Sequence, residues 1–216
     1  MRVYAIVPAY NEEKNIGNVL AVLKELTTFD KIVVVSDGST DKTVEVASSY
    51  GVEVVELGEN RGKGGALKAG LSSFNPASHD IILFLDADLL GLTQSHVINL
   101  LQPVLKDEAD MTIGIFEKGR IATDMAQKIA PSLSGQRALK TSVLQEISDL
   151  DMARFGVEVA LNRYMESSQI RTKEVVLSDM SHVMKEEKLG VWKGVAARMK
   201  MYWEIIKYFT RVSSLK

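Results

Sequence analysis

Ile81-Ile82-Leu83-Phe84-Leu85-Asp86-Ala87-Asp88 is the stretch that decides the fold. Five apolar residues run directly into two carboxylates one residue apart. A run this short, ended by charge, reads as a strand buried on both faces. Strands of that kind belong to parallel sheets with helices packed on either side. Open parallel sheets gather their ligands outside the carboxyl ends of the strands, and Asp86 and Asp88 fall there. Residues two apart on an extended backbone share a side, so the two acids are expected to face one point. The stretch contains no Lys or Arg, and such a pair suits a hard cation with oxygen ligands. Two solvated acids in a turn would show the same spacing.

Outward from this strand the pattern repeats. Val3–Pro8 reads as a first buried strand closed by Pro8, with Asn11 as helix N-cap and Glu12 and Glu13 complementing the helix dipole. Ile16, Val19, Leu20, Leu23 and Leu26 then recur at helical spacing. Lys31–Val35 and Val52–Leu57 are the next strands, with a helix between them to about Tyr50. Helices are expected from about Lys63 to Phe74 and over 94–105, and a further strand over Met111–Phe116. Strand and helix alternate, which argues for an α/β fold on a mostly parallel sheet. Beyond Phe116 the spacing predicts helices over Ala138–Ile147 and Val157–Ser167, a strand over Arg171–Leu177, and a long helix from about Gly190 to Arg211. The expected divisions of this single domain are 1–116, 117–189 and 190–216.

Whole-chain properties narrow the function. At 216 residues the chain supports one domain with a large core. A formal net charge of −2 argues against nucleic acid as a partner. With no cysteine, disulfides, thiol catalysis and zinc–thiolate sites are excluded. The N-terminus starts straight into a strand without a signal-peptide pattern, and no apolar run is long enough to span a bilayer, so a cytoplasmic protein is expected.

Three further motifs fall at strand tips. Val-Pro-Ala-Tyr-Asn-Glu-Glu (7–13) offers backbone groups at Pro8 and Ala9 to a base edge, Tyr10 to its face and Glu12 to an N–H. A Pro-terminated strand with a capped helix explains Pro8 and Asn11, but not the tyrosine. Ser-Asp-Gly-Ser-Thr-Asp (36–41) places Asp37 where a nucleotide imide or ribose would sit, with Ser39 or Thr40 capping the next helix; a plain turn accounts for Gly38 and Ser39. Asn-Arg-Gly-Lys-Gly-Gly-Ala-Leu (60–67) is a glycine-rich opening to a helix, suited to an anion, with Lys63 as a charged donor; a flexible turn is its alternative. It has neither the Walker spacing nor the position of a dinucleotide fingerprint.

Taken together and in this order, the four tips resemble family-2-type glycosyltransferases of the GT-A fold, a Rossmann-like, mostly parallel sheet flanked by helices. The resemblance covers roughly the first half of the chain. It implies a sugar-nucleotide donor, most often a uridine diphosphate sugar, and a divalent metal, Mg2+ or Mn2+. Asp88 would hold the metal between the donor's two phosphates. Asp86, with Ala87 beside it, would lie near ribose or sugar. Pro8, Ala9, Tyr10, Glu12, Asp37 and Lys63 would surround the nucleotide.

The second half narrows the resemblance. Gly119-Arg120-Ile121-Ala122-Thr123, Ser134-Gly135-Gln136-Arg137-Ala138-Leu139, Gly156-Val157-Glu158-Val159 and His182 follow in the order of the glucosyl-3-phosphoglycerate synthases, which retain anomeric configuration. That likeness implies Gly119, Arg120 and Thr123 on a small anionic acceptor, Glu158 against the transferred sugar, and His182 as a second metal ligand. On this reading Glu158, Asp86 and Arg120 carry the catalysis. Arginine suits phosphate or carboxylate because its planar fork matches their oxygens; a solvated loop charge is the alternative for Arg120. Ser134–Arg137 replaces a Gly-Gly-Glu-Tyr-like element, and the chain is shorter than those synthases. His79 and His96 are assigned no role.

The basic, aromatic 190–216 segment reads in two ways. It is a membrane-surface helix serving a polyprenyl-phosphate acceptor, or it packs on the domain or on a second subunit as in a homodimer. A non-catalytic sugar-nucleotide sensor is the alternative from another class.

Overall fold

The computed structural model of the protein describes residues 1–116, 134–146, 161 and 168–182. The chain divides into two compact units, Met1–Ser181 and His182–Lys216. Within the first lie strands β1 (Val3–Ala9), β2 (Lys31–Asp37), β3 (Glu53–Leu57), β4 (Ile81–Phe84), β5 (Leu89–Leu90), β6 (Met111–Phe116), β7 (Arg137–Lys140) and β8 (Thr172–Leu177). Ser181–His182, at the division, is a two-residue strand, β9. Seven strands form one sheet in the order β3-β2-β1-β4-β7-β6-β8. Pairing is parallel from β3 to β4 and between β6 and β8, while β7 runs antiparallel to both neighbours.

The continuous apolar strands follow from two cores, one on each face. Val3, Ala5, Val7 and Ala9 of β1, with Ile81 and Leu83 of β4, face helices α1 (Ile16–Lys24), α2 (Thr43–Ser49) and α4 (Gln94–Leu105). The alternate residues Tyr4, Ile6, Ile82 and Phe84 face α3 (Gly62–Ser72) and α5 (Thr141–Glu146). Period-two alternation thus serves both sides of the sheet. Gly70 lets α3 lie close. A Cβ there would come within 2.8 Å of Ile6 Cγ2 and 3.0 Å of Val35 Cγ2.

Four expectations are corrected. Ala138–Lys140 is not the start of a helix but belongs to β7, the strand between β4 and β6; pairing on both sides overrides local helix preference. Only the following residues, Thr141–Glu146, are helical. Pro8 does not end β1, which runs on to Ala9. β4 pairs β1 only as far as Ile6, so one edge of β1 is unpaired at Pro8 and the missing N–H costs no ladder bond there. Asn11 is not the N-cap of α1: it has φ +55° and Asn15 holds that position. Asp86 and Asp88 are not on an extended strand, since β4 ends at Phe84 and Ala87-Asp88 form a turn into β5. The period-two argument therefore does not apply to them.

The segments carrying Gly119, Arg120, Thr123 and Glu158, and the whole 190–216 helix, lie outside the described residues. Leu161, from the helix expected over Val157–Ser167, is helical and fully buried. Among the described residues no helix is long and apolar enough to cross a membrane.

Candidate active site

The tips of β1 and β2 are tied to each other by side chains that sequence reading had given to helix caps. Asn11 N donates to Ser39 Oγ (3.1 Å), and Thr40 N donates to Asn11 Oδ1 (2.8 Å). Glu12 N donates to Thr43 Oγ1 (2.8 Å) and Glu13 N to Asp41 Oδ2 (3.1 Å). Asp41, rather than Ser39 or Thr40, receives the first N–H of α2, from Thr43 (3.0 Å). Burial pushes the Asp41 carboxyl up, but hydrogen bonds from the Thr43 side chain and from the Glu13 and Thr43 N–H groups outweigh it and hold the acid below its usual range. The result is a rigid ledge. Ala9 is buried in it, Glu12 is 8 % exposed and accepts from Asn15 Nδ2 (2.9 Å), and Tyr10 stands out at 49 % exposed.

Asp37, buried at the end of β2, clamps the glycine-rich loop. Its Oδ1 accepts from Arg61 N at 2.7 Å, and its carbonyl accepts from Asn60 Nδ2 at 3.2 Å. The loop presses so close to the β2 tip that only glycine fits at 38. Gly38 has φ +70°, and a Cβ would sit 2.7 Å from Asn60 N. Gly62 at φ +76° then turns the chain into α3. This sets Lys63 in the first turn of α3, beside a helix N-terminus.

Lys63 crosses to the β4 tip. Its Nζ lies 2.5 Å from Asp86 Oδ1. The other carboxylate oxygen, Oδ2, accepts from Gln136 Nε2 at 2.8 Å. The Ser134–Gln136 segment passes directly over this pair: a Cβ on Gly135 would run into Lys63 Nζ and come within 2.8–2.9 Å of the Asp86 oxygens. A cation that the β4 stretch lacks is thus supplied by α3. Sequence reading missed Gln136 as a site residue. Its one signal was the departure of Ser134–Arg137 from the Gly-Gly-Glu-Tyr-like element.

The structure brings Pro8, Ala9, Tyr10, Glu12, Asp37, Lys63, Asp86, Ala87 and Asp88 to one end of the sheet. Ala87 is buried, and Asp86 and Asp88 are partly so. Gly119, Arg120, Thr123, Glu158 and the His182 side chain lie outside the described residues. Gly91, just after β5, has φ +75°, and a Cβ there would collide with Asp179 O, so the chain before Ser181 passes close behind the Asp88 turn.

Charge and donor chemistry decide what can bind. Lys63 is paired with Asp86, and the same end of the sheet carries the Glu12, Asp37 and Asp88 carboxyls, so a phosphate group is met better when a cation comes with it. Among the described residues no three His, Cys, Asp or Glu side chains gather as metal ligands. A single carboxylate at Asp88 suits an ion that draws most of its oxygens from a diphosphate, as Mg2+ sites commonly do. The residues present therefore fit a divalent ion delivered with its phosphate ligand.

Residues 4–157 match the family model described as glycosyl transferase family 2. The dolichyl-phosphate beta-glucosyltransferase of Drosophila melanogaster is 40% identical over 121 residues, 48% of this chain and 35% of that protein. The UDP-N-acetylglucosamine–dolichyl-phosphate N-acetylglucosaminyltransferase of Methanococcus voltae is 30% identical over 129 residues, 52% of this chain and 51% of that one. The matched part thus spans about half or less of these curated relatives. Among solved structures, glucosyl-3-phosphoglycerate synthase of Mycobacterium tuberculosis with phosphoglyceric acid superposes with a TM-score of 0.71 at 25% identity, covering 84% of this chain and 72% of that one. Its complex with Mn2+, UDP-glucose and phosphoglyceric acid gives 0.68 at the same identity, covering 84% and 71%.

Proposed function

The chain belongs to glycosyl transferase family 2, and from that premise we propose that it moves a hexose, glucose, from a UDP-sugar to a small anionic acceptor such as 3-phosphoglycerate. One observation carries this reading. The β1–β2 ledge, the clamped Lys63 loop and the Asp86–Asp88 turn meet at one end of the sheet. The Mycobacterium structure, similar over most of this chain, holds Mn2+, UDP-glucose and phosphoglyceric acid together.

Each residue then has a task. Tyr10, Asp37 and Glu12, with the backbone of Pro8 and Ala9, receive the nucleotide. Lys63 serves the diphosphate while steadying Asp86. Asp86 and the Ala87 backbone border ribose and sugar. Asp88 holds Mg2+ or Mn2+, with His182 as a second ligand. When bound, the ion supplies Lewis-acid stabilisation of charge on the departing diphosphate. Gly119, Arg120 and Thr123 bind the acceptor, and Glu158 borders the sugar and stabilises charge there. In the retaining course the acceptor oxygen bonds to the anomeric carbon on the face that the phosphate leaves. The acceptor proton passes to a phosphate oxygen, so no separate base is needed. The reaction belongs in the cytoplasm.

UDP release from UDP-glucose tests this with 3-phosphoglycerate and then with other acceptors, each with Mn2+ or Mg2+. Metal-dependent turnover is expected. Absence of turnover with every acceptor counts against transfer, and donor binding without it would leave a sensor. A second reading, transfer to a polyprenyl phosphate, is favoured by the names of the Drosophila and Methanococcus relatives. Liposome binding that is lost on removing 190–216, together with turnover only on the lipid phosphate, would favour it.

A further inference from the structure

We infer that Gln136 is a positioning residue for the sugar end of the donor, acting through the Asp86 carboxylate. The inference rests on the donor reading above and adds a residue to it. Gln136 is fully buried, at the entry to β7. Its backbone is fixed on both sides: its carbonyl accepts from Gly114 N at 2.8 Å, and its N–H donates to Ser134 Oγ at 3.3 Å. Gly114 leaves the room, since a Cβ there would lie 3.1 Å from Gln136 Cβ. The same Ser134 hydroxyl donates to Gln136 Oε1 at 3.1 Å. With the amide oxygen held, the NH2 group is aimed at Asp86 Oδ2, 2.8 Å away.

A carboxylate only accepts, so an amide facing it must present its NH2, and the Ser134 contact favours that orientation. With Lys63 on Oδ1 and Gln136 on Oδ2, both oxygens are held and the carboxylate plane is fixed. The direction in which that carboxylate can meet a ligand is thereby set. A methionine would occupy the same space without burying an amide, so filling volume does not explain the glutamine.

Strand order says which end of the donor is affected. The nucleotide ledge is built on β1 and β2, whereas Gln136 enters from β7, on the opposite side of β4. An adjustment made from β7 therefore acts on the part of the ligand farther from the base. UDP, which lacks the sugar, becomes the internal reference for an intact fold and nucleotide site.

The test is calorimetric binding of UDP-glucose and of UDP, each with Mn2+, to the full chain and to Gln136→Met, Gln136→Glu and Ser134→Ala. Gln136→Met should weaken UDP-glucose by about tenfold, the scale of one charge-assisted hydrogen bond, and UDP by less than about twofold. Gln136→Glu keeps the shape but removes the NH2 donor, so it should weaken UDP-glucose more than UDP, as Gln136→Met does. Ser134→Ala should fall between wild type and Gln136→Met. Equal losses of UDP and UDP-glucose, or a Gln136→Glu protein that binds UDP-glucose like wild type, would overturn the inference. A wild-type chain that binds UDP but not UDP-glucose, or neither, would bring down the donor reading itself, a separate and recognisable result.

Discussion

The two ends of the sheet use the same chemistry to opposite effect. At the amino end Asp80 is buried and receives Arg2 N (2.8 Å), Arg2 Nε (3.2 Å), Arg2 Nη2 (3.0 Å) and Ala77 N (2.9 Å). Nearby, Asp110 receives Lys140 Nζ (2.7 Å) and three N–H groups of Arg171 (2.9–3.1 Å), and Asp107 shares both cations. Charges there cancel, Arg2 against Asp80 and Lys140 with Arg171 against Asp107 with Asp110. At the carboxyl end Lys63 reaches from α3 to pair with Asp86, two residues before Asp88, and Tyr10 stands exposed at the tip of β1. Aspartates beside cations are thus no signature of a site. What marks the carboxyl end is its place at the strand tips, where open parallel sheets take their ligands, on elements that are fixed by other bonds.

The largest test of this contrast is Asp88→Asn. Transfer should fall about 100-fold or more, the scale of a lost electrostatic contact in the transition state, and binding of UDP with Mn2+ should weaken. The mirror experiment is Asp80→Ala. It leaves several N–H groups without their acceptor and should lower stability by about 2–3 kcal/mol in urea unfolding. UDP binding in the folded fraction should be unchanged. If Asp80→Ala weakens UDP binding as much as Asp88→Asn does, the two ends are not separable.

The smallest effect is one of pH. Arg171, set against burial and aided by Lys140, holds Asp110 well below the usual carboxylate range. At Asp80 burial works upward, but the bonds from Arg2 and Ala77 outweigh it and leave that acid low as well. A carboxyl that is depressed in the folded state adds stability above its unfolded value near pH 4, and that stability drains away as pH falls towards the depressed value. Melting temperature should therefore hold above about pH 5 and drop below about pH 4. Asp110→Asn should make that drop shallower, by less than about 1 kcal/mol for so exposed a set of partners.

Much of this was legible in sequence because it is local. Apolar runs gave β1, β2, β4 and β6, and helical spacing gave α1. Thr93 and His96 at the start of α4 form a reciprocal cap. Long-range features were not legible. Ala138-Leu139-Lys140 has helix-prone residues, and only β4 and β6 make it a strand. Asp86 has no cation in its own stretch, and nothing nearby announces that Lys63 will reach it from α3. Gln136 arrives from 50 residues away. Asn11 looked like a helix cap because asparagine favours that place, yet its side chain bridges two strand tips.

Anomalous diffraction from a crystal soaked with Mn2+ and UDP tests the central claim most directly. A manganese peak within coordinating distance of an Asp88 carboxylate oxygen, with the uridine over the β1–β2 ledge, is the result this account predicts. Uridine diphosphate bound elsewhere, or on the ledge with the metal away from Asp88, would contradict it.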